Sequence, residues 1–490
     1  MHTINQISDI VLILPPKRFK EHRYSLGLMY IAGYLRANSF DSLIIDSQIF
    51  GEHYEYNHER ARNDIIKKLV EIQPKIIGFT ATTIEAEEVI KINSAVKSQI
   101  QTISVVGGPH ATACPQEMNK NGFDAVVIGE GEETFLQLVK MIDNNDCQWE
   151  KINGLAWEKD GEVIINPARE LVDISKMPLP AYDKVNMKYY GQVWDDVIRG
   201  FPIKAAMVMA SRGCPYSCSF CACNKVFGRK VRYRDLGNIK EEVKLLRDDY
   251  GIEGIWFADD TLTVSYDHVE KICEIMKALK MYWGAQSRVD LTSEEIIKLM
   301  AGSGCLQLDF GVESGNQRVL DEVINKRIKL TDVEKSFALC RKYGIRTQAS
   351  FMIGLPTETK AEMEETFQFA MKIKPDSYSF NVLTPLPGTE IYNNYFAGKI
   401  GLVDYENTSF HKTKALFNQS QVKDVNALHD QWRARLYEGV KLRSLGRSFN
   451  VFRLWFKLGN KKERLYFIWF KLRRAIKYLL NKFGFNFLIQ

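Results

Sequence analysis

Three cysteines within eight residues, Cys214, Cys218 and Cys221 of SRGCPYSCSFCACNK (211–225), are the part of this sequence best suited to chemistry. Thiolates separated by three and two residues can hold three irons of a cubane iron–sulfur cluster, and the missing fourth protein ligand leaves one iron open. An open iron makes a reactive centre, where a fully ligated cluster only carries electrons. A structural zinc site wants four closed ligands, and Cys223 offers the fourth thiolate for that alternative. The spacing, the aromatic Phe220 before the last cysteine and the position after a strand pattern (Ala205–Ala210) favour the cluster, with Cys223 as a bystander or a neighbour of the ligands.

Further candidates recur at the ends of later apolar runs. FADDTLT (257–263) offers Asp259 and Asp260, WGAQSRVD (283–290) offers Arg288, GVESG (311–315) offers Glu313, and MIGLPTET (352–359) offers a turn at Gly354. An aspartate after a strand is also a common helix cap, an alternative that stays open for Asp260. Earlier in the chain three small or glycine-bearing turns stand after strand patterns: TATT (80–83), GGPHAT (107–112) and GEGEET (129–134). Together they predict a ligand crevice.

Two series of elements must position these residues. Over 1–150, apolar runs such as Ile10–Leu14, Ile76–Thr80 and Ile103–Gly107 alternate with helical patterns such as Leu26–Ala37, which predicts a doubly wound, Rossmann-like α/β domain. Residues 151–200 predict a linker with a small hairpin (154–159 and 162–166). Over 201–395, six strand patterns at Ala205–Ala210, Gly254–Ala258, Tyr282–Arg288, Cys305–Gly311, Arg346–Ile353 and Ser377–Leu383 alternate with helices. They predict a partial (β/α)6 barrel whose chemistry lies at the carboxyl ends of its strands. Residues 396–490 predict an α-helical C-terminal region.

Residues 203–386 resemble the radical S-adenosylmethionine superfamily, on the cysteine motif and the ordered FADDTLT, GVESG, MIGLPTET and TPLPGT (384–389) turns. The resemblance implies a [4Fe–4S] cluster on Cys214, Cys218 and Cys221 that cleaves S-adenosylmethionine to a 5′-deoxyadenosyl radical. It also implies S-adenosylmethionine contacts from Phe220, Asp259, Asp260, Arg288, Glu313 and Gly354. Residues 9–145 resemble the cobalamin-binding domains of such enzymes, on YSLGLMYIAGYL (24–35), VGGPHAT (106–112) and GEGE (129–132). A DxHxxG motif that supplies a cobalt ligand is absent, so the resemblance is to the subgroup without a lower histidine ligand, or to a domain that has lost the corrin. It implies cobalamin contacts from Thr80, Gly107, Gly108, His110, Glu130, Gly131 and Glu132. The implied activity is cobalamin-dependent methylation of an unactivated carbon on a small-molecule, apolar or lipid-like substrate, with a reductant such as flavodoxin or ferredoxin as partner. Two alternatives stay open: a radical cyclase, oxidase or C–C coupling enzyme of the same architecture, such as the anaerobic porphyrin cyclases, and a noncatalytic iron–sulfur or zinc protein.

Composition bounds the rest. With 490 residues, 45% of them hydrophobic, the chain can bury several cores, and nine cysteines, an odd number, fit metal ligation in a reducing compartment better than a disulfide framework. The expected location is the cytoplasm, since the first apolar run has no basic leader and ends at Pro15-Pro16. Net charge is +6, but Lys441–Gln490 holds thirteen basic residues against Glu463 alone, leaving the remainder at −6. That division argues against nucleic acid in the body of the enzyme. The stripe of Leu465, Ile468, Trp469, Leu472, Ala475, Ile476 and Leu479 beside Lys471, Arg473, Arg474 and Lys477 predicts a basic amphipathic helix. Such a helix suits peripheral attachment to an anionic membrane surface at the inner face of the cell membrane, or packing on the barrel.

Overall fold

The computed structural model describes residues 9–17, 23–49, 57–192, 197–198, 201, 203–405, 417–432 and 435. The basic tail predicted beyond residue 440 lies outside them.

The first sheet contains β1 (Ile10–Leu14), β2 (Leu43–Asp46), β3 (Ile76–Thr80), β4 (Ile103–Gly107), β5 (Ala125–Val127), β6 (Leu155–Lys159) and β7 (Glu162–Ile165). Its spatial order is β2-β1-β3-β4-β5-β6-β7, with the first five strands parallel and β6 and β7 antiparallel. Every residue of β1 is buried because helices cover both faces. Ile10, Leu12 and Leu14 pack with Leu28, Phe135 and Leu138 of helices Leu26–Ala37 and Glu132–Asp143. Val11 and Ile13 turn the other way, to Ile65, Leu69, Val89 and Ile92 of helices His58–Ile72 and Ala86–Lys97. The alternation follows from the two-residue period of a strand. The hairpin expected in a linker is instead the antiparallel edge of this sheet, anchored where Trp157 Nε1 donates to Asn166 Oδ1 (3.2 Å).

The second sheet is all parallel and follows chain order: β8 (Ala205–Val208), β11 (Gly254–Phe257), β12 (Tyr282–Ser287), β13 (Cys305–Glu313), β14 (Arg346–Ile353) and β15 (Ser377–Val382). β8 and β15 do not pair, so the barrel is open. The short antiparallel strands β9 (Ser211–Arg212) and β10 (Arg232–Tyr233) close the neck of the cysteine-bearing loop between them. The outer helices begin at side-chain caps placed by the sequence, Ser265, Ser293 and the Thr359–Glu362 capping box among them.

The second sheet's hydrophobic core reaches the first domain through the start of its first helix. Tyr24, Met29 and Tyr30 of the first helical segment pack with Met207, Ile239 and Tyr182. The Tyr24 hydroxyl donates to Met207 O (2.8 Å) and accepts from Met207 N (2.7 Å), pinning the start of that helix to β8. Residues 425–432 are helical, and Trp432 packs on Phe367 and Phe380, so this part of the C-terminal region lies against the open edge at β15.

Candidate active site

The cysteine loop leaves β9 through Gly213 (φ 95°), where a Cβ would sit 2.5 Å from Lys230 O, so only glycine lets the chain turn toward Cys214 there. Cys214 and Cys218 are half-buried and Cys221 is exposed. The Cys223 thiol lies against the sulfurs of Cys214 and Cys221, and its hydrogen bonds hold the Cys214 thiol down to about 6 and draw Cys221 below its ordinary value. Burial pushes Cys218 up, opposed by the charges of Lys326 and Arg288. No three of these sulfurs gather within 4.8 Å of one another, whereas ligands of a single tetrahedral zinc would sit roughly 3.8 Å apart. The donor set therefore suits a cluster spread over several irons better than one closed ion.

Arg288, from the end of β12, stacks on Tyr216 of the loop at 3.5 Å and is held by Asp290 (3.0 and 3.1 Å) and by Lys326 O (3.0 Å). Its remaining nitrogen points to Cys218 Sγ at 3.9 Å. Glu313 closes β13 with φ 69°, where the register to β14 shifts between Gly311 and Glu313. An irregularity of this kind re-aims a side chain, and the carboxylate meets Lys326 Nζ at 3.1 Å. Lys326 also lies 5.9 Å from the centre of the Phe220 ring. Phe220, Arg288, Glu313 and the cysteine loop thus converge on the barrel mouth.

The two aspartates after β11 differ. Asp259 is buried and braces the exit of β8, accepting from Ala210 N (3.1 Å) and Ser211 Oγ (2.5 Å), with burial pushing its carboxyl up to about 6. With its oxygens turned to the strand, it supports the loop. Asp260 is held by Gly213 N and sits against the loop itself; it is no helix cap, since Thr261 holds the N-cap position of the 3-10 turn Leu262–Val264 and Ser265 caps the next α-helix. Gly354 turns β14 out of the sheet at φ 79°. Beneath it Glu358 is buried, accepts from Leu355 N (3.0 Å), and is pushed up to about 8 by that burial.

Between the two sheets lies a cavity of about 710 Å³. One wall holds Thr80, Gly107, Gly108, Glu130, Gly131 and Glu132, and the opposite wall holds Met209, Arg212, Ala222, Cys223, Val226 and Phe227 of the cysteine loop and its neck. Gly108 (φ 98°) makes this wall possible, because a Cβ would lie 2.9 Å from both Ala81 O and Thr80 Oγ1. The strand order reverses between β1 and β3, so the cavity opens at the switch point where doubly wound sheets bind ligands. Its size and mostly small-residue wall fit a flat, bulky cofactor.

Two expectations for this wall need correction. His110 does not line the cavity: it is buried, with Nδ1 3.3 Å from Thr83 Oγ1 and Nε2 3.3 Å from Glu117 Oε2. Proline at the preceding position starts a short helix that carries the imidazole away from the crevice. Glu130 and Glu132 do line the cavity, but their carboxylates are engaged across the interface. Arg212 donates to Glu130 (2.8 Å) and Glu132 (2.7 Å), Arg232 donates to Glu130 (2.8 and 3.1 Å), and Val172 N completes Glu130. Arg212 is stacked between Tyr30 and Phe227 and stands two residues before Cys214. Sequence reasoning missed Arg212, Arg232 and Lys326. The first stood in plain view inside the cysteine motif, whereas nothing in the pattern around Lys326 marks it.

Comparison with known proteins agrees with this architecture. The Radical SAM superfamily model matches residues 208–370 and the B12 binding domain model matches residues 19–139. An uncharacterized methyltransferase of Pyrococcus horikoshii is 33% identical, over 81% of this chain and 84% of its own. The anaerobic magnesium-protoporphyrin IX monomethyl ester cyclase of Rubrivivax gelatinosus is 28% identical over 78% and 68% of the two chains. The hopanoid C-3 methylase of Methylococcus capsulatus is 26% identical over 75% and 68%. Among solved structures, the radical S-adenosylmethionine methyltransferase TsrM of Kitasatospora setae, with cobalamin and a [4Fe–4S] cluster bound, superposes with a TM-score of 0.67 at 18% identity, covering 79% of this chain and 77% of that one. The chain is a radical S-adenosylmethionine enzyme, a member of that superfamily with a B12-binding domain, and its cofactors are a [4Fe–4S] cluster, S-adenosylmethionine and cobalamin.

Proposed function

We propose that this enzyme methylates an unactivated carbon of an apolar, lipid-like molecule, with Cys214, Cys218 and Cys221 as the cluster ligands. The observation that carries this reading is the shared cavity: the loop bearing the cysteines forms one wall of the space in which the B12-binding domain presents its small-residue turns. When bound, the cluster and S-adenosylmethionine supply a carbon radical and cobalamin supplies a transferable methyl group. The chain's part is placement. Arg288, paired with Asp290, and Lys326, paired with Glu313, stand beside Cys218 and oppose the burial that raises its thiol, and their spare donors suit a carboxylate of S-adenosylmethionine. Glu313, re-aimed at the end of β13, suits an amino or ribose hydroxyl group, and Gly354 leaves a flat turn for adenine. Thr80, Gly107, Gly108 and Gly131 form the wall against which a corrin fits. Met209, Val226, Phe227 and Leu386 keep the opposite side apolar and exclude water.

The name of the hopanoid relative supports a lipid-like substrate, and so does the predicted basic amphipathic tail. No helix among the described residues is long and apolar enough to cross a membrane. Chain lacking residues 445–490 is expected to lose binding to anionic vesicles while keeping S-adenosylmethionine cleavage. Equal vesicle binding by both forms would remove the membrane from this reading. Substrate identity is tested by comparing the lipid pools of a deletion strain and its parent by mass spectrometry: a lipid that shifts down by one methyl group supports the proposal. The similarity to the porphyrin cyclase favours a second reading, ring closure or oxidation, in which the accumulated molecule differs by hydrogen or oxygen and not by a methyl group.

A further inference from the structure

We propose that His110, Cys114 and Glu117 form a second metal site, for a zinc-like divalent transition ion, in the B12-binding domain and separate from the cysteine loop. The three sit on two short helices after β4, Pro109–Ala113 and Pro115–Lys120, with Cys114 at their joint. Their ligand atoms all lie within 4.8 Å of one another, and they are the one group of three or more such donors that does so among the described residues. His110 Nε2 and Glu117 Oε2 are 3.3 Å apart, close to the roughly 3.4 Å edge expected between nitrogen and oxygen ligands of a tetrahedral zinc.

A plain histidine–glutamate pair leaves one fact unexplained. His110 is 1% exposed, yet its Nε2 makes no hydrogen bond although the carboxylate is close enough for one. A buried nitrogen with a thiol and a carboxylate in reach, bonded to neither, is placed as a metal ligand would be. The other ring nitrogen faces Thr83 Oγ1 at 3.3 Å, the outer partner that fixes the tautomer and orientation of a ligating histidine. Imidazole, thiolate and carboxylate form a donor set that suits zinc and leaves the fourth position for water. Glu117 is 37% exposed and gives the ion a route in from solvent. The site would tie down the turn whose Gly107, Gly108 and Pro109 line the cofactor cavity, which gives the metal a structural role.

This inference does not depend on which substrate is methylated, and its test reads metal content. Full-length enzyme purified anaerobically and equilibrated with micromolar zinc is expected to hold about one zinc per chain besides the cluster iron. Cys114→Ser and Glu117→Gln should each lose the zinc with iron unchanged. Cobalt(II) added to chain carrying Cys214→Ser, Cys218→Ser and Cys221→Ser should give a thiolate charge-transfer band that the further change Cys114→Ser abolishes. Thr83→Val should weaken cobalt binding by about 10- to 100-fold. His110→Gln is the less useful variant because that side chain is buried, so the near-isosteric Cys114→Ser carries the decision. Zinc content equal in wild type and Cys114→Ser, or cobalt spectra without a thiolate band, would overturn the site.

Discussion

The carboxyl ends of the two sheets do different work with different residues. After β3, β4 and β5 the chain places Thr80, Gly107, Gly108, Gly129 and Gly131, residues that contribute room and backbone. After β8, β12 and β13 it places three cysteines, Arg288 and Glu313, residues that contribute donors and charge. A bulky planar cofactor needs volume and a smooth wall, whereas a metal cluster needs ligands at fixed spacing. Arg212 joins the two ends, since it lies between the glutamates of one domain and the cysteine loop of the other.

The largest effect should come from the donor side. Cys214→Ala, Cys218→Ala or Cys221→Ala is expected to abolish both bound iron and S-adenosylmethionine cleavage, while Cys223→Ala keeps both; iron assay and product chromatography decide. Cleavage surviving any of the first three changes would break the contrast between a donor side and a shape side.

Next in size is the connection between the sides. Arg212→Gln leaves Glu132, less than a tenth exposed, with its buried charge unpaired while Arg232 still holds Glu130, and removing one partner of such a pair costs about 3–5 kcal/mol. Denaturant unfolding should show that loss together with weaker cobalamin retention. Combining Arg212→Gln with Glu132→Gln should recover part of it, as a coupled pair requires. Additive effects of the two changes would mean that the pair does not couple the domains.

A smaller effect concerns pH. Glu358 is held near 8 by burial, above its ordinary 4.5, so the folded chain keeps a proton that the unfolded chain loses. Its contribution to stability is fully present below about pH 4.5 and is lost as pH rises through about 8. Glu358→Gln should therefore flatten the fall in Tm between pH 5 and about 9; a fall as steep as the wild type's would refute the assignment.

The smallest expected effect is none at all. His58 is the one histidine lining the cavity among the described residues, and it is engaged by Glu88 at 3.0 Å. The spectrum of bound cobalamin should lack a histidine ligand and stay the same in His58→Ala. A shift in that variant would give the shape side a donor after all.

The fold was legible because both series of strands carry their pattern locally. β1, β3, β4 and β14 lie where their apolar runs predict, and the caps and turns agree with them. The hairpin at 155–165 looks like part of a linker in the sequence because pairing across a sheet edge is non-local: nothing in 154–166 announces β5 as its partner. The cysteine loop was legible for the opposite reason, being a short spacing that encodes its own chemistry. Glu130, Glu132 and His110 were harder. Acidic residues in a glycine turn look alike whether they face a cofactor or an arginine eighty residues away, and only the folded chain brings Arg212 and Arg232 to them. Which way His110 faces depends on the short helix started by Pro109, a backbone detail that one histidine after GGP does not disclose.

The central claim, that one cavity joins cobalamin to the cysteine loop for methyl transfer, is tested most directly by product analysis under anaerobic turnover. Full-length enzyme with its cluster, cobalamin, a low-potential reductant and methyl-deuterated S-adenosylmethionine is incubated with lipid extract of the deletion strain. S-adenosylhomocysteine and 5′-deoxyadenosine should form together, with the deuterated methyl group on a lipid. 5′-Deoxyadenosine formed without S-adenosylhomocysteine or labelled product, while cobalamin stays bound, would contradict it.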